Sequence, residues 1–172
     1  MFSFIPKAQE KDAVSIKQKT ISEARYLKSI YKTDKAISLL SGLLRPDCFD
    51  EELLSELADC HMQAGDYESA ASTYRMLQLH APDNILYSIK LMGIYYRLKD
   101  YPSSAEYGKS IIRKDTIPAI ISMTGDSFNM MDKADSALAY YELYLRVGKA
   151  NPAVVSKAAT FYGRAINAFT GF

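Results

Sequence analysis

The sequence predicts an all-α fold in which antiparallel helix hairpins stack into a solenoid, and three observations carry that expectation. Pro46, Pro82, Pro118 and Pro152 recur at intervals of 36, 36 and 34 residues. A beat of small residues, Ala36, Ala70, Ala105 and Ala137, runs between them. Where the prolines leave room, apolar residues keep the 3.6-residue period of amphipathic helices. A period of this size marks a repeat array in which each hairpin leans on its neighbours for stability. The 172 residues, 48% hydrophobic and 24% charged with a net charge of +1, have the composition of an ordinary globular chain. The 13 tyrosines and 7 phenylalanines, with no tryptophan, make tyrosine the expected aromatic of both core and binding face.

The first hairpin, over about residues 14–45, rests on Ala24, Leu27, Ala36, Leu40 and Leu43, with Thr33-Asp34 at its turn. It is a degenerate copy. In the second hairpin, 50–81, Leu53, Leu54, Leu57, Ala58 and His61 form one broad stripe. Gly65-Asp66 breaks that helix, glycine suiting a left-handed C-cap and aspartate a turn or N-cap. The stripe resumes as Tyr67, Ala70, Ala71, Tyr74 and Leu77, and Ala81-Pro82-Asp83-Asn84 closes the unit. In the third hairpin, 85–115, Leu91, Met92, Gly93 and Tyr95 lie in the first helix. Lys99-Asp100-Tyr101-Pro102 makes its turn, and Ala105, Ile111 and Ile112 carry the second helix. Pro102 fits a first helical turn, where its missing N–H costs nothing. The fourth, 118–149, repeats the scheme with Gly125, Phe128, Ala137, Tyr141 and Tyr144, and Asp135 is the expected cap. A lone helix follows over 152–169. These parts are expected to form a single domain.

The second hairpin resembles the tetratricopeptide repeat. Leu54, Ala58, Gly65, Tyr67, Ala70, Tyr74 and Pro82 fit that family's order of large apolar residue, small residue, Gly-x-Tyr turn, alanine, aromatic and closing proline. His61 stands where the family prefers tyrosine, so it is expected to pack as an aromatic. The resemblance implies a right-handed superhelical solenoid whose first helices line a concave groove. It also implies a non-enzymatic protein-interaction module that takes a peptide or helical segment of a partner protein.

The groove positions inferred from the resemblance are Ser22, Tyr26 and Ser29; Ser55, Asp59 and Met62; Ile89, Tyr96 and Arg97; and Ser122, Asp126 and Asn129. Asp59 and Asp126 stand where the family's clamp for a peptide C-terminus wants asparagine, which argues against that use. Met62 and Tyr96 suit an adaptable apolar contact and Arg97 an acidic group. The same residues can instead seal adjacent hairpins.

The last helix groups Val155, Ala158, Ala159, Tyr162, Ala165, Ile166 and Phe169 on one apolar face, with Val154 and Phe161 on a flank. Terminal repeats want a polar outer face, and this helix holds only Lys157 and Arg164 as charges. Val154, Phe161 and Phe169 are therefore the expected self-association residues, giving a homodimer or scaffold component as the alternative function.

Charge is uneven: residues 1–45 hold 9 basic and 4 acidic residues, and 46–84 hold 1 and 9. The acidic second hairpin either steers a basic segment or is neutralised by its basic neighbours. No basic stripe with interleaved aromatics argues for nucleic acid. Cys48 and Cys60 lack metal or redox spacing, and both are expected to be buried as small hydrophobes. Neither a phosphate loop nor a metal-spaced cluster is visible, so neither catalysis nor a cofactor is expected. No apolar run is long enough to cross a bilayer. Phe2–Ala8 lacks a charged n-region and a full apolar h-region, which favours the cytoplasm. If that stretch is the remnant of an export leader cut after Ala8, the protein is exported or periplasmic.

Overall fold

In the computed structural model of the protein, which describes residues 7–45, 48–148 and 151–170, four turns share one backbone feature. Tyr31, Gly65, Lys99 and Asp132 have φ of 58°, 81°, 61° and 56°. Their separations of 34, 34 and 33 residues are the true repeat, because each ends the first helix of a hairpin in the left-handed conformation. The proline spacing is an imperfect echo of it.

The described residues form nine helices and no named strand: α1 (Lys7–Ser29), α2 (Thr33–Ser41), α3 (Glu51–Ala64), α4 (Tyr67–His80), α5 (Ile85–Arg97), α6 (Tyr101–Lys114), α7 (Pro118–Met130), α8 (Ala134–Val147) and α9 (Pro152–Thr170). The fold is all-α, and successive helices pair as the four expected hairpins followed by one helix. α1 begins seven residues earlier than the apolar pattern predicts. Its first turns, Lys7-Ala8-Gln9-Glu10-Lys11, carry no apolar period but are strong helix formers.

Local chemistry sets most of the boundaries. The Asp50, Asp66 and Asp100 carboxylates accept from the N–H groups of Leu53, Ser69 and Ser103, each at 3.1 Å. The Asn84 side chain accepts from Leu86 N–H at 3.2 Å. Each bond satisfies an orphan donor of a first helical turn. Pro102 and Pro118 sit in first turns as expected. The expectation for Asp135 is corrected: Lys133 is the N-cap of α8 and makes no side-chain cap bond. Asp135 lies inside the first turn, where its charge complements the helix dipole.

The chain divides into two compact units, residues 1–81 and 82–172. In the first, Ile21, Ala24, Ala36, Leu40, Leu53, Leu57 and Cys60 form one core cluster. In the second, Met92, Ile111 and Ile120 form one cluster. Ile121, Ala137, Tyr141, Tyr144, Val154, Ala158 and Phe161 form another. Small residues set the close approaches. A Cβ on Gly125 would lie 2.7 Å from the Tyr141 ring, and one on Gly108 would lie 2.1 Å from Thr124 Oγ1. In the third hairpin the small-residue position that repeats Ala70 and Ala137 is Ser104, one place before Ala105. Ser104 is fully buried and shares a 3.0 Å hydrogen bond with the Ser127 hydroxyl.

The cysteines differ. Cys60 is buried, which pushes its thiol up from the usual value. Cys48 is exposed beside a short bridge to Arg45, so the expectation that it is buried is corrected. It lies on the connection between hairpins and not on a helix face.

Candidate interaction faces

In the first unit the basic and acidic hairpins neutralise one another. From α1, Lys17 pairs with Asp50 at 2.7 Å, Arg25 with Glu56 at 2.6 Å and with Glu52 at 3.4 Å, and Lys28 with Glu56 at 2.9 Å. Burial works to raise the Glu56 carboxyl, but hydrogen bonds from Lys28 and Arg25 outweigh it and hold the group below the usual range. Asp50 is lowered in the same way, against burial, by Lys17 and the Leu53 N–H. Three acids of the second hairpin thus fasten α3 to α1 and are not spare charge for steering a ligand.

Two of the inferred groove acids are also engaged. Asp59 on α3 accepts from the Tyr74 hydroxyl of α4 at 2.5 Å. Fifteen residues again separate the partners in the second unit, where Asp126 on α7 accepts from the Tyr141 hydroxyl of α8 at 2.7 Å. Asp126 takes two further bonds from Lys157 of α9, at 2.6 and 2.8 Å. The Lys157 ammonium stands 5.8 Å from the centre of the Tyr141 ring. Burial first, then the bond to Asp126, drives the Tyr141 phenol far above its ordinary range. It is a permanent donor.

Tyr96 belongs to the same neighbourhood. Its ring meets Tyr101 edge-on at 5.4 Å, and its phenol is raised by burial and then by the Asp126 carboxylate. Arg97 and Asn129 are exposed, while Ser122 is half-buried. Ile89 is half-buried against the Met92–Ile111–Ile120 cluster, so part of its surface seals the core. In the first unit Ser55 and Met62 are half-buried beside Asp59 on α3. Ser22 and Ser29 donate back to the carbonyls of Gln18 and Tyr26, at 2.8 and 2.7 Å.

Ser22, Tyr26 and Ser29 each stand one place past the register of Ser55, Asp59 and Met62, as Arg97 does past Met62 and Asn129. The 34-residue repeat places Tyr26 with Cys60, which packs in the core against α1 residues. Tyr26 is 63% exposed on α1. Arg25 is the residue in register with Asp59 and Asp126. Tyr74, Tyr141 and Lys157 were missed by sequence reasoning because they lie on second helices or on α9. The shared fifteen-residue spacing from Asp59 and Asp126 was the available signal.

His61 is half-buried, with Nδ1 3.0 Å from Asp66 Oδ2. It therefore meets the N-cap of α4 as well as filling an aromatic's place.

On α9, Val154, Ala158 and Phe161 are 4%, 2% and 7% exposed in the cluster with α8. The expectation of Val154 and Phe161 as self-association residues is corrected: they face inward. Val155, Ala159 and Tyr162 face solvent instead. The Phe169 side chain lies outside the described residues. Among the described residues no group of three or more His, Cys, Asp or Glu side chains could hold a metal ion. No described helix is long and apolar enough to cross a membrane.

This geometry defines a class: a helical-hairpin repeat of tetratricopeptide type, a fold that typically serves as a non-enzymatic protein-interaction scaffold. Residues 31–102 match the family model described as tetratricopeptide repeat. Among solved structures, MamA from Desulfovibrio magneticus RS-1 (residues 41 to the end) superposes with a TM-score of 0.76 at 11% identity, covering 89% of this chain and 87% of that one. MamA of AMB-1 gives 0.75 at 17% identity, with 91% and 84% covered. MamA of MSR-1 gives 0.72 at 18% identity, with 90% and 87% covered. At such identities the likeness is one of fold. No curated protein matches the sequence.

Proposed function

We propose that this protein is an interaction module whose first helices grip an extended or helical segment of another protein. In the second unit the contact is made by Tyr96, Arg97, Ser122 and Asn129 around the Asp126–Lys157 pair. In the first unit Ser55, Asp59 and Met62 form the corresponding patch. One observation carries this reading: Asp126 is locked by Tyr141 and Lys157, its charge raises the Tyr96 phenol, and Asn129 one turn on in α7 and Arg97 next to Tyr96 in α5 are exposed. A polar centre already held in place costs little ordering when a ligand arrives. The Tyr96 ring and the Met62 thioether supply adaptable apolar contact, and Arg97 selects an acidic group on the ligand.

A photo-crosslinking amino acid in place of Asn129 tests the site. It is expected to give a discrete adduct with a partner in native extract. The same group at Leu79, 82% exposed on α4, is expected to give none. Adducts of equal yield from both positions would contradict the assignment.

A further inference from the structure

The first hairpin departs from the repeat at its far end. α2 has 9 residues, whereas α4, α6 and α8 have 14 each. The link from α2 to α3 is long in consequence: nine residues, 42–50, against four, three and four at the later junctions between hairpins. A long link in a stack of short ones is where binding residues concentrate.

Between this link and helices α3 and α4 lies a cavity of about 480 Å³. Small-ligand pockets measure roughly 300–1,000 Å³. Leu44, Leu54 and Met76 give the cavity an apolar wall. Phe49 and His80 add a flat one, their rings stacked with centroids 3.8 Å apart at 10°. His80 Nδ1 lies 3.0 Å from the Met76 carbonyl, which holds the imidazole in place. Leu44, Phe49 and Met76 remain 39%, 39% and 46% exposed, so an apolar body seated here removes them from water.

Among the described residues that line the cavity, Arg45 is the one side chain of fixed charge. Arg45 also lines a smaller cavity of about 230 Å³ toward α1, but there Lys17 and Asp50 already pair with each other at 2.7 Å. Arg45 makes no ion pair among the described residues. A concave apolar site with one unspent cation at its rim complements a molecule with an apolar chain and a single anionic end.

We propose that this cavity binds a medium-chain fatty carboxylate. The chain lies along Leu44, Leu54 and Met76, and the carboxylate accepts paired hydrogen bonds from the Arg45 guanidinium. The site is formed within the first unit and stands apart from the groove residues around Asp126.

The test follows the fluorescence of 11-(dansylamino)undecanoate titrated into the full chain, with decanoate and decanol as competitors. Saturable binding is expected, with decanoate competing about tenfold or more better than decanol. Arg45→Gln should weaken the probe about tenfold and remove the preference for decanoate. Met76→Glu, which sets a carboxylate against the chain, should abolish binding. Leu79→Glu, on the same helix but off the cavity lining, and Arg97→Glu, in the groove, should bind as the wild type does. Circular dichroism melts confirm that each variant is folded. Absence of saturable binding overturns the proposal, as does an Arg45→Gln protein that still prefers decanoate or a Met76→Glu protein that still binds. Equal loss in Leu79→Glu and Met76→Glu also overturns it, because the probe is then adsorbing to exposed surface.

Discussion

Lys99 ends α5 at φ 61°, a left-handed conformation that costs a residue with a Cβ about 1–2 kcal/mol. Tyr31 and Asp132 occupy the same position in their hairpins, and only the second hairpin uses glycine there. Lys99 is exposed, so replacing it removes strain without opening the core. Lys99→Gly is expected to raise unfolding free energy by about 0.5–1 kcal/mol, read as a higher urea midpoint at unchanged m-value. An unchanged or lower midpoint would show that the Lys99 side chain contributes more than the strain takes away. Legibility at this scale follows residue type. Gly65-Asp66 declares its turn because glycine tolerates positive φ and aspartate caps, and the structure has both. Nothing about Tyr31 or Lys99 announces a left-handed turn, so the 34-residue register had to be seen in the backbone. With that register, Ser104 replaces Ala105 as the small residue at the crossing, and Ser22, Tyr26 and Ser29 fall one place off the inferred groove positions.

Helix faces were legible where the whole apolar stripe is buried and obscure where only part of it is. The stripe of α3 reads directly, since Leu53, Leu54, Leu57 and Ala58 are all buried. α9 offers two adjacent apolar stripes, and nothing in its own sequence tells which one meets α8; the third residue of each stripe, Phe161 or Tyr162, is aromatic. Charge gave the clearest element-scale signal. The excess of cations in residues 1–45 and of acids in 46–84 becomes the ladder between α1 and α3. Glu56 is its centre, with a side chain 15% exposed and two cations on its oxygens. Its folded-state carboxyl titrates below its unfolded value. The stability it contributes is therefore present above the unfolded pKa, about 4.3 for glutamate. That stability is lost as pH falls through the lower folded value. Glu56→Gln is expected to lower stability at pH 7 by roughly 1.5–3 kcal/mol, the range for a hydrogen bond to a charged group. The gap from wild type should narrow below about pH 4. A gap that stays constant from pH 7 to pH 3 would contradict the charge assignment and leave only packing.

Across the molecule, repetition made the architecture readable: a hairpin period near 34 residues, small residues at crossings and capped turns all agree on stacked hairpins. The interaction faces were less readable, because a groove acid and an acid spent on a neighbouring helix look alike in sequence. Asp59 and Asp126, inferred from the sequence as groove acids, are each bonded to a tyrosine of their own hairpin fifteen residues on. Specific recognition then falls to the side chains around them, and no motif names the ligand. The central claim is that Tyr96 and Arg97 recognise a segment of another protein. Its most direct test is parallel affinity capture from native extract by the wild type and by Tyr96→Ala/Arg97→Glu, with partners quantified by mass spectrometry. Thermal melts of both proteins keep lost binding apart from lost folding, since Tyr96 also packs on Tyr101. The account predicts a partner held by the wild type and lost by a variant that remains folded. The same partners captured equally by both proteins would contradict it.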